Sequence, residues 1–231
     1  MTDGWDKSAG AWIASLGEAG DYGRIFVLDK PMLARVEAGG FKRALDVGCG
    51  EGRFCRMLKA RGIETLGIDP TERLLAQARK LDPDGDYRLT TAERMEVPED
   101  SFDLAVCYLS LIDIPDLATA VRRIVAALEP GGTLLIANLT SFNTAGLPDG
   151  WLPDGRFAID DYLEERPIWV EWRGIRIRNW HRPLEQYMQV FLGEGLRLTH
   201  FSEPRPYGGP EKKAQRYARV PYFHIMEWQK P

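Results

Sequence analysis

Hydrophobic and polar positions along this chain switch repeatedly between a strand pattern and a helix pattern. From residue 43 onward, short apolar runs alternate with segments whose apolar residues recur every three or four positions. The runs that predict strands are RALDV, ETLGID, DYRLTT, SFDLAVCYLS and GTLLIANL, and the segments that predict helices include RFCRMLKARG, TERLLAQARKL and DLATAVRRIVAAL. Strands that alternate with helices form right-handed βαβ units, so the pattern indicates a parallel sheet covered on both faces.

The alternation stops near the C-terminus. A predicted helix in RPLEQYMQVFLGEG is followed by two strand patterns, LRLTHFSEP and PYFHIMEWQK, with only a loop and YARV between them. Strands that are not separated by a crossover helix pair antiparallel. The predicted fold class is therefore α/β: a doubly wound, Rossmann-like sheet, mostly parallel, with one antiparallel strand near the C-terminus.

The chain length of 231 residues suits a single α/β domain with additions. We expect one domain over residues 1–231, divided into four parts. An N-terminal helical cap (1–42) precedes the core (43–138). An inserted lid rich in aromatic residues (139–182) follows, and a final helix and β-hairpin (183–231) complete the chain.

The composition and net charge indicate which classes of partner this chain is expected to have. The 30 basic and 34 acidic side chains give a formal net charge of −4, without the basic face that a nucleic acid requires. The N-terminal MTDGWDKSAG lacks the basic and apolar regions of a secretory signal, and no window is apolar enough to span a membrane, so we expect a cytoplasmic protein. Cys49, Cys55 and Cys107 form no C-x-x-C, which argues against a bound metal and against a disulfide framework. The oligomeric state stays open.

A glycine-rich loop follows the first strand, in LDVGCGEGRF. Gly48 and Gly50 allow the backbone to approach a ligand where the next helix begins, although a tight turn alone would also explain them. About twenty residues later, Asp69 in GIDP ends the second strand, where a carboxylate can accept hydrogen bonds from a ribose diol. Both a dinucleotide and S-adenosylmethionine fit this combination of a glycine-rich loop and a carboxylate at the end of the second strand. Asp46 would repel a pyrophosphate but suits a cationic amino group, and the G-x-G-x-x-G spacing is absent, so S-adenosylmethionine is favoured.

Five segments in order carry a family resemblance. LDVGCGEGRF, GIDP, AERMEVPEDSFDLAVCYLSLIDIPD and ALEPGGTLLIAN resemble motifs of class I S-adenosylmethionine-dependent methyltransferases, and HRPLEQYMQVFLGEGLRL more weakly resembles their late helix and strand. The small-molecule branch with the ubiquinone and menaquinone biosynthesis methyltransferases is the most similar. The resemblance implies methyl transfer to a small-molecule acceptor, aromatic or partly apolar. The alternatives are an NAD-dependent oxidoreductase and a non-catalytic protein that binds S-adenosylmethionine.

The resemblance also implies which residues contact the cofactor. In the cap, GDYGR is similar to segments that fold over it, where Arg24 would pair with the cofactor carboxylate; a solvated surface arginine is the alternative. Thr91 stands where the family often has an Asp that accepts from the adenine amino group. The full set of expected cofactor contacts is Tyr22, Arg24, Asp46, Gly48, Cys49, Gly50, Asp69, Pro70, Thr91, Ala92, Glu93, Cys107, Tyr108 and Leu109.

The lid contains IWVEWRGIRIRNW, which predicts a hairpin around Arg173-Gly174. A two-residue loop would pair Trp172 with Ile175, Glu171 with Arg176, Val170 with Ile177 and Trp169 with Arg178. Period two then places Ile168, Val170, Trp172, Ile175 and Ile177 on a face that lines the lid. Trp169, Glu171, Arg176 and Arg178 would face water, with a Glu171–Arg176 ion pair and a Trp169–Arg178 cation–π contact.

His181 is the candidate residue for a direct role in catalysis. Methyl transfer from a sulfonium needs a base only when the acceptor must lose a proton. His181 lies between the predicted hairpin and the next helix, a junction expected to face the pocket, so it is the candidate general base or acceptor-orienting residue. A histidine that merely braces the helix is the alternative.

Overall fold

A seven-stranded sheet forms the centre of the computed structural model, which describes residues 3–17, 19–146, 148 and 150–231. Its strands are β1 (Arg43–Val47), β2 (Glu64–Asp69), β3 (Asp86–Leu89), β4 (Phe102–Tyr108), β5 (Leu128–Leu139), β8 (Arg197–Ser202) and β9 (Phe223–Gln229). They lie in the order β3-β2-β1-β4-β5-β9-β8. The first five pair in parallel, whereas β9 runs antiparallel to both β5 and β8. The predicted fold class, with its single reversed strand, is confirmed.

Helices cover both faces of this sheet, as expected for buried parallel strands. One apolar cluster joins the sheet to α5 (Leu117–Ala127) and α7 (Leu184–Gly193), and includes the fully buried Trp228. A second cluster joins the other face to α2 (Asp29–Gly39) and α3 (Arg53–Lys59). The helix α4 (Glu72–Leu81) follows β2, with Thr71 at the predicted N-cap position. The Thr71 side chain makes no capping hydrogen bond there, which corrects that detail.

The predicted hairpin is present as β6 (Arg166–Trp172) and β7 (Ile175–His181), with all four expected residue pairs. Ile168, Val170, Ile175 and Ile177 are buried, but they pack mainly against Trp5 and Trp12. The apolar face therefore packs largely against the N-terminal helix, and of its five predicted residues Trp172 and Ile177 also line the cavity described below.

Two polar contacts were predicted on the other face of the hairpin. The Glu171–Arg176 pair forms at 3.8 Å. The Trp169–Arg178 contact is wrong, because Arg176 lies over the Trp169 ring at 4.2 Å and Arg178 lies over Trp180 instead. Arg176 reaches Trp169 across the diagonal of the strand pair, a geometry that long side chains permit.

The N-terminal segment is helical, as predicted. It contains α1 (Trp5–Leu16), a π-helical turn (Arg24–Leu28) and α2. Ser8 fastens α1 to the hairpin, because its Oγ donates to the Arg176 carbonyl at 3.0 Å and accepts from the Arg176 amide at 2.9 Å. We call α1 and the hairpin together the cover.

One helix was not predicted from the sequence. The segment between β8 and β9 was predicted to be a loop with YARV, but it contains α8 (Glu211–Arg219). No residue of α8 is buried, and its apolar residues Ala214, Tyr217 and Ala218 recur at helical spacing but are few among charged side chains, so the segment was read as a loop. A further short helix, α6 (Ser141–Ala145), follows β5. Across the residues that the structure describes, no helix has the length and apolarity to cross a membrane.

Candidate active site

A cavity of about 1010 Å³ lies between the cover and the carboxyl ends of β1, β2 and β4. In open α/β sheets, ligands bind outside the carboxyl ends of the strands, where the strand order reverses. Here the order reverses between β1 and β4, because β2 and β3 lie on one side of β1 while β4 and β5 lie on the other. The cavity therefore occupies the position that the topology favours for a ligand.

The glycine-rich loop forms the floor of this cavity. Gly48 has a φ of +77°, and a Cβ there would lie 2.4 Å from the Ser110 Cβ, so only glycine fits. Gly50 has a φ of +57° and lines the cavity, and a Cβ there would meet no protein atom within 4 Å. A side chain at Gly50 would extend into the space that a ligand needs. The cradle predicted from the sequence is therefore present and open.

Asp69 holds the loop in position from the end of β2. Its Oδ2 accepts a hydrogen bond from the Gly50 amide at 3.0 Å, and its Oδ1 accepts one from the Thr71 amide at 2.8 Å. Burial raises the pKa of Asp69 to about 6, although these two backbone hydrogen bonds favour the charged form. Each carboxylate oxygen has a second lone pair, so both remain able to accept from a diol.

Asp46 is the second buried carboxylate beside the cradle. It is 1% exposed, and the Cys55 thiol donates to its Oδ2 at 3.2 Å. Burial raises the pKa of Asp46 to about 7, and Asp69 and Glu51 contribute to that rise. A cation bound here would relieve this repulsion, whereas a pyrophosphate would increase it.

Arg24 also lines the cavity. Its guanidinium pairs with Asp21 at 2.6 Å and lies over the rings of Trp12 at 5.1 Å and Tyr108 at 5.7 Å. A guanidinium carries five N–H donors, so the pairing with Asp21 leaves donors for an anionic group of a ligand. Arg24 is thus a cation that lines the cavity, and it has donors left for the carboxylate of a bound ligand.

The structure brings most of the expected cofactor residues together around one cavity. Those that line it are Tyr22, Arg24, Asp46, Gly48, Cys49, Gly50, Asp69, Pro70, Thr91, Ala92, Glu93, Tyr108 and Leu109. Cys107 does not line the cavity. Its side chain is fully buried in the apolar cluster beneath α5, because successive residues of a strand point to opposite faces.

His181 is also not brought to the cavity. Its ring is fully buried, with Nδ1 at 2.8 Å from the Thr144 hydroxyl and Nε2 at 2.9 Å from the Tyr162 carbonyl. Both nitrogens are occupied, and burial lowers the pKa of His181. The expectation that this junction faces the pocket is corrected. The structural alternative, a histidine that braces the surrounding segments, matches its position.

The neighbouring Arg182 explains why this junction is buried. Arg182 is 1% exposed, and its guanidinium donates to the carbonyls of Leu111, Ile114 and Pro115 in the loop after β4. That loop carries Asp113, whose Oδ1 accepts from Asn179 at 2.5 Å. Burial raises the pKa of Asp113 to about 8. Asp113 and Asn179 both line the cavity. Neither was predicted as a site residue, although Asp113 stands in a segment that resembles the family's motifs and Asn179 stands in the predicted hairpin.

A buried ion pair was also not predicted from the sequence. Arg53 pairs with Asp29 through two hydrogen bonds of 3.0 and 2.5 Å, and the Tyr108 hydroxyl donates to the same carboxylate at 2.7 Å. This network ties α2 to α3 and to the end of β4. The position of Arg53 just after the glycines was the available signal, but its partner lies 24 residues earlier in the chain.

Comparison with known proteins identifies the domain. Residues 45–136 match the family model described as a methyltransferase domain. The solved structure of an S-adenosylmethionine-dependent methyltransferase from Mesorhizobium loti superposes with a TM-score of 0.80 at 28% identity, covering 93% of this chain and all of that one. Residues 45–136 thus match the methyltransferase domain, and the fold of the chain is similar to that of S-adenosylmethionine-dependent methyltransferases.

Other methyltransferases share the fold and parts of the sequence. A ubiquinone biosynthesis O-methyltransferase of Bradyrhizobium diazoefficiens is 33% identical over 105 residues, which cover 43% of this chain and 41% of that enzyme. A malonyl-[acyl-carrier protein] O-methyltransferase of Salmonella typhimurium is 28% identical, over 71% of this chain and 68% of that enzyme. The match thus spans less than half of the ubiquinone enzyme.

Asp69→Ala tests the assignment of the ribose contact. We expect S-adenosylmethionine to bind about 10- to 100-fold more weakly, because a charged hydrogen-bond acceptor contributes roughly 1.5 to 3 kcal/mol. Isothermal titration calorimetry measures the change. Asp103→Ala is the matched control, since Asp103 also accepts from two backbone amides, those of Lys42 and Arg43, but does not line the cavity. Unchanged affinity in Asp69→Ala, or equal losses in both variants, would remove Asp69 from the binding site.

Proposed function

We propose that this chain transfers a methyl group from S-adenosylmethionine to a small-molecule acceptor bound in the same cavity. The observation that carries the proposal is the cavity itself, in which a glycine cradle and two buried carboxylates lie beneath a cover that contributes aromatic side chains. The match to methyltransferases supports the reaction class. Both curated relatives are named as O-methyltransferases, which favours oxygen as the methylated atom.

The residues present fit the cofactor. We propose that Asp69 accepts from its ribose, that Asp46 faces its cationic methionine part, and that Arg24 pairs with its carboxylate. Thr91, Ala92 and Glu93 would lie at the adenine. The bound cofactor supplies an activated methyl group on a sulfonium. Burial raises the pKa values of Asp46 and Asp69, so their charged forms are unfavourable without a ligand. A positively charged ligand would lower these pKa values and stabilise the two carboxylates.

The cavity also has space for an acceptor. Ligand pockets usually measure roughly 300 to 1,000 Å³, and this cavity lies at the top of that range. Holding donor and acceptor collinear in a site without water supplies much of the rate of such a displacement. Among the residues that the structure describes, no histidine lines the cavity. We therefore propose that this chain relies on orientation and exclusion of water rather than on a histidine base.

Labelled methyl transfer tests the proposal. The protein is incubated with S-adenosylmethionine carrying a tritiated methyl group and with a bacterial metabolite extract filtered to remove macromolecules. We expect the label to appear in a small organic molecule, and Gly50→Val to abolish the transfer. Binding of S-adenosylmethionine without transfer to any fraction would favour the non-catalytic alternative. Binding of NAD in its place would favour the oxidoreductase.

Two tryptophans of β6 offer a matched test of the cover. Trp172 and Trp169 are 38% and 39% exposed, but only Trp172 lines the cavity, where it meets Trp12 edge-to-face at 6.4 Å. We expect Trp172→Ala to lower labelled transfer about tenfold by admitting water, with a smaller change in cofactor affinity. Trp169→Ala should leave both within about twofold. Equal effects of the two substitutions would show that the hairpin does not close the acceptor side.

A further inference from the structure

One end of the cavity is built differently from the cofactor cradle. Leu139 ends β5 and pairs with Phe223 at the start of β9, so both lie at the same edge of the sheet. Tyr22 and Tyr217 complete the wall, with their ring centroids 4.9 Å apart. All four of these apolar or aromatic side chains line the cavity. We call this part the aromatic end.

A lysine stands at the rim of the aromatic end. Lys213 of α8 lines the cavity, and its Nζ lies 4.7 Å from the centre of the Tyr22 ring. The ring itself is fixed, because the Tyr22 hydroxyl donates to the Gly208 carbonyl at 3.1 Å. The ammonium group is therefore presented at the cavity on a rigid aromatic support, a geometry that cation–π attraction favours.

The surrounding charge is positive. The sequence of α8 is EKKAQRYAR, with four basic residues and one acidic residue among its nine. Within the described part of the chain, no carboxylate lies within 4.0 Å of Lys212, Lys213, Arg216 or Arg219. Arg216 and Arg219 instead lie over the ring of Trp151. Asp21 also lines the cavity, but its carboxylate is already paired with Arg24.

We propose that the acceptor is an anion with an apolar or aromatic body, whose charged group is bound by Lys213 while its body fills the aromatic end. This proposal rests on the proposed function and names its substrate class. The anionic group is an anchor and not the methylated atom. A carboxylate oxygen loses its negative charge as it takes up the methyl group, so a lysine paired to that oxygen would oppose the reaction. Lys213 is then a specificity-determining residue.

Matched probes test the anchor without knowledge of the natural acceptor. The protein is saturated with S-adenosylhomocysteine, and binding of 2-naphthoate and of the neutral 2-naphthamide is measured by calorimetry. We expect 2-naphthoate to bind at least about fivefold more tightly, as one partly desolvated charge contact allows. Lys213→Gln should remove this preference. Lys212→Gln should retain it, because Lys212 lies on the same helix but does not line the cavity.

The remaining outcomes are each decisive. Equal binding of the two probes, or no binding of 2-naphthoate, would overturn the proposal. So would equal losses in Lys212→Gln and Lys213→Gln, which would show diffuse attraction to α8 of the kind that an acidic protein partner uses. If Lys213→Gln weakens S-adenosylhomocysteine instead, Lys213 holds the cofactor carboxylate and not the acceptor. Failure of the wild-type protein to bind S-adenosylhomocysteine would instead contradict the proposed function itself.

Discussion

Gly50→Val is expected to weaken S-adenosylmethionine binding by more than about 100-fold, or roughly 3 kcal/mol. The valine side chain would extend from the floor of the cavity into the volume that we assign to the methionine part. It would also strain the loop, because a β-branched residue is disfavoured at a φ of +57°. The hydrogen bond from the Gly50 amide to Asp69 would be disturbed with it.

The matched control is Gly62→Val. Gly62 has a φ of +77°, and a Cβ added there would meet no atom within 4 Å, but the residue is exposed and lies beyond the end of α3, away from the cavity. Both variants should lose about 1 to 3 kcal/mol of stability from backbone strain, as measured by urea unfolding. Only Gly50→Val should lose affinity in calorimetry. Comparable affinities in the two variants would mean that the loop does not hold the cofactor.

Asp46→Asn is expected to make the ligand-free protein more stable while it weakens cofactor binding. Burial raises the pKa of Asp46 from 3.8 to about 7, so the charged carboxylate is unfavourable in the fold. One pKa unit corresponds to about 1.36 kcal/mol, and we expect a gain of about 2 kcal/mol near pH 8 after the cost of burying an amide. Binding should fall about tenfold or more, because the charged partner of the methionine part is lost.

The raised pKa of Asp46 also makes the stability of the protein depend on pH. Between about pH 4 and pH 7 the folded protein binds more protons at Asp46 than the unfolded chain does. The contribution of Asp46 to the free energy of unfolding should therefore fall as the pH rises through this range. In Asp46→Asn this contribution should be lost, as urea titrations at several pH values would show. An Asn variant that is less stable than the wild type near pH 8 would refute the assignment of Asp46 as a strained carboxylate.

The sheet was predictable because its signals are local. The strands β1, β2 and β4 are short apolar runs, and the cradle residues Gly48, Gly50 and Asp69 lie at or just beyond strand ends that the topology brings together. β5 contains the predicted apolar run GTLLIANL but begins earlier, at Leu128. The register of the β6–β7 hairpin also followed from one turn and from period two. Such features need no knowledge of distant contacts.

The incorrect expectations concern long-range packing. His181 was expected at the pocket because of its place in the sequence, but Thr144 and Tyr162 enclose it from segments far from it in the chain. Helix α8 was missed because it is short and mostly charged and its few apolar residues were read as part of a loop, so Lys213 was not recognised as a cavity residue. Asp113 stands in the loop after β4, but its hydrogen bond with Asn179 depends on how the hairpin folds back.

Calorimetric titration of the purified chain with S-adenosylhomocysteine tests the central claim most directly. We expect one binding site per chain. Near pH 6.5, binding should release protons, because the ligand's positive ammonium group lowers the raised pKa values of Asp46 and Asp69. Two buffers with different ionisation enthalpies reveal that release as a difference in the observed heat. Absence of binding to S-adenosylhomocysteine, or binding of NAD in its place, would contradict the assignment of the cavity as a methyl-donor site.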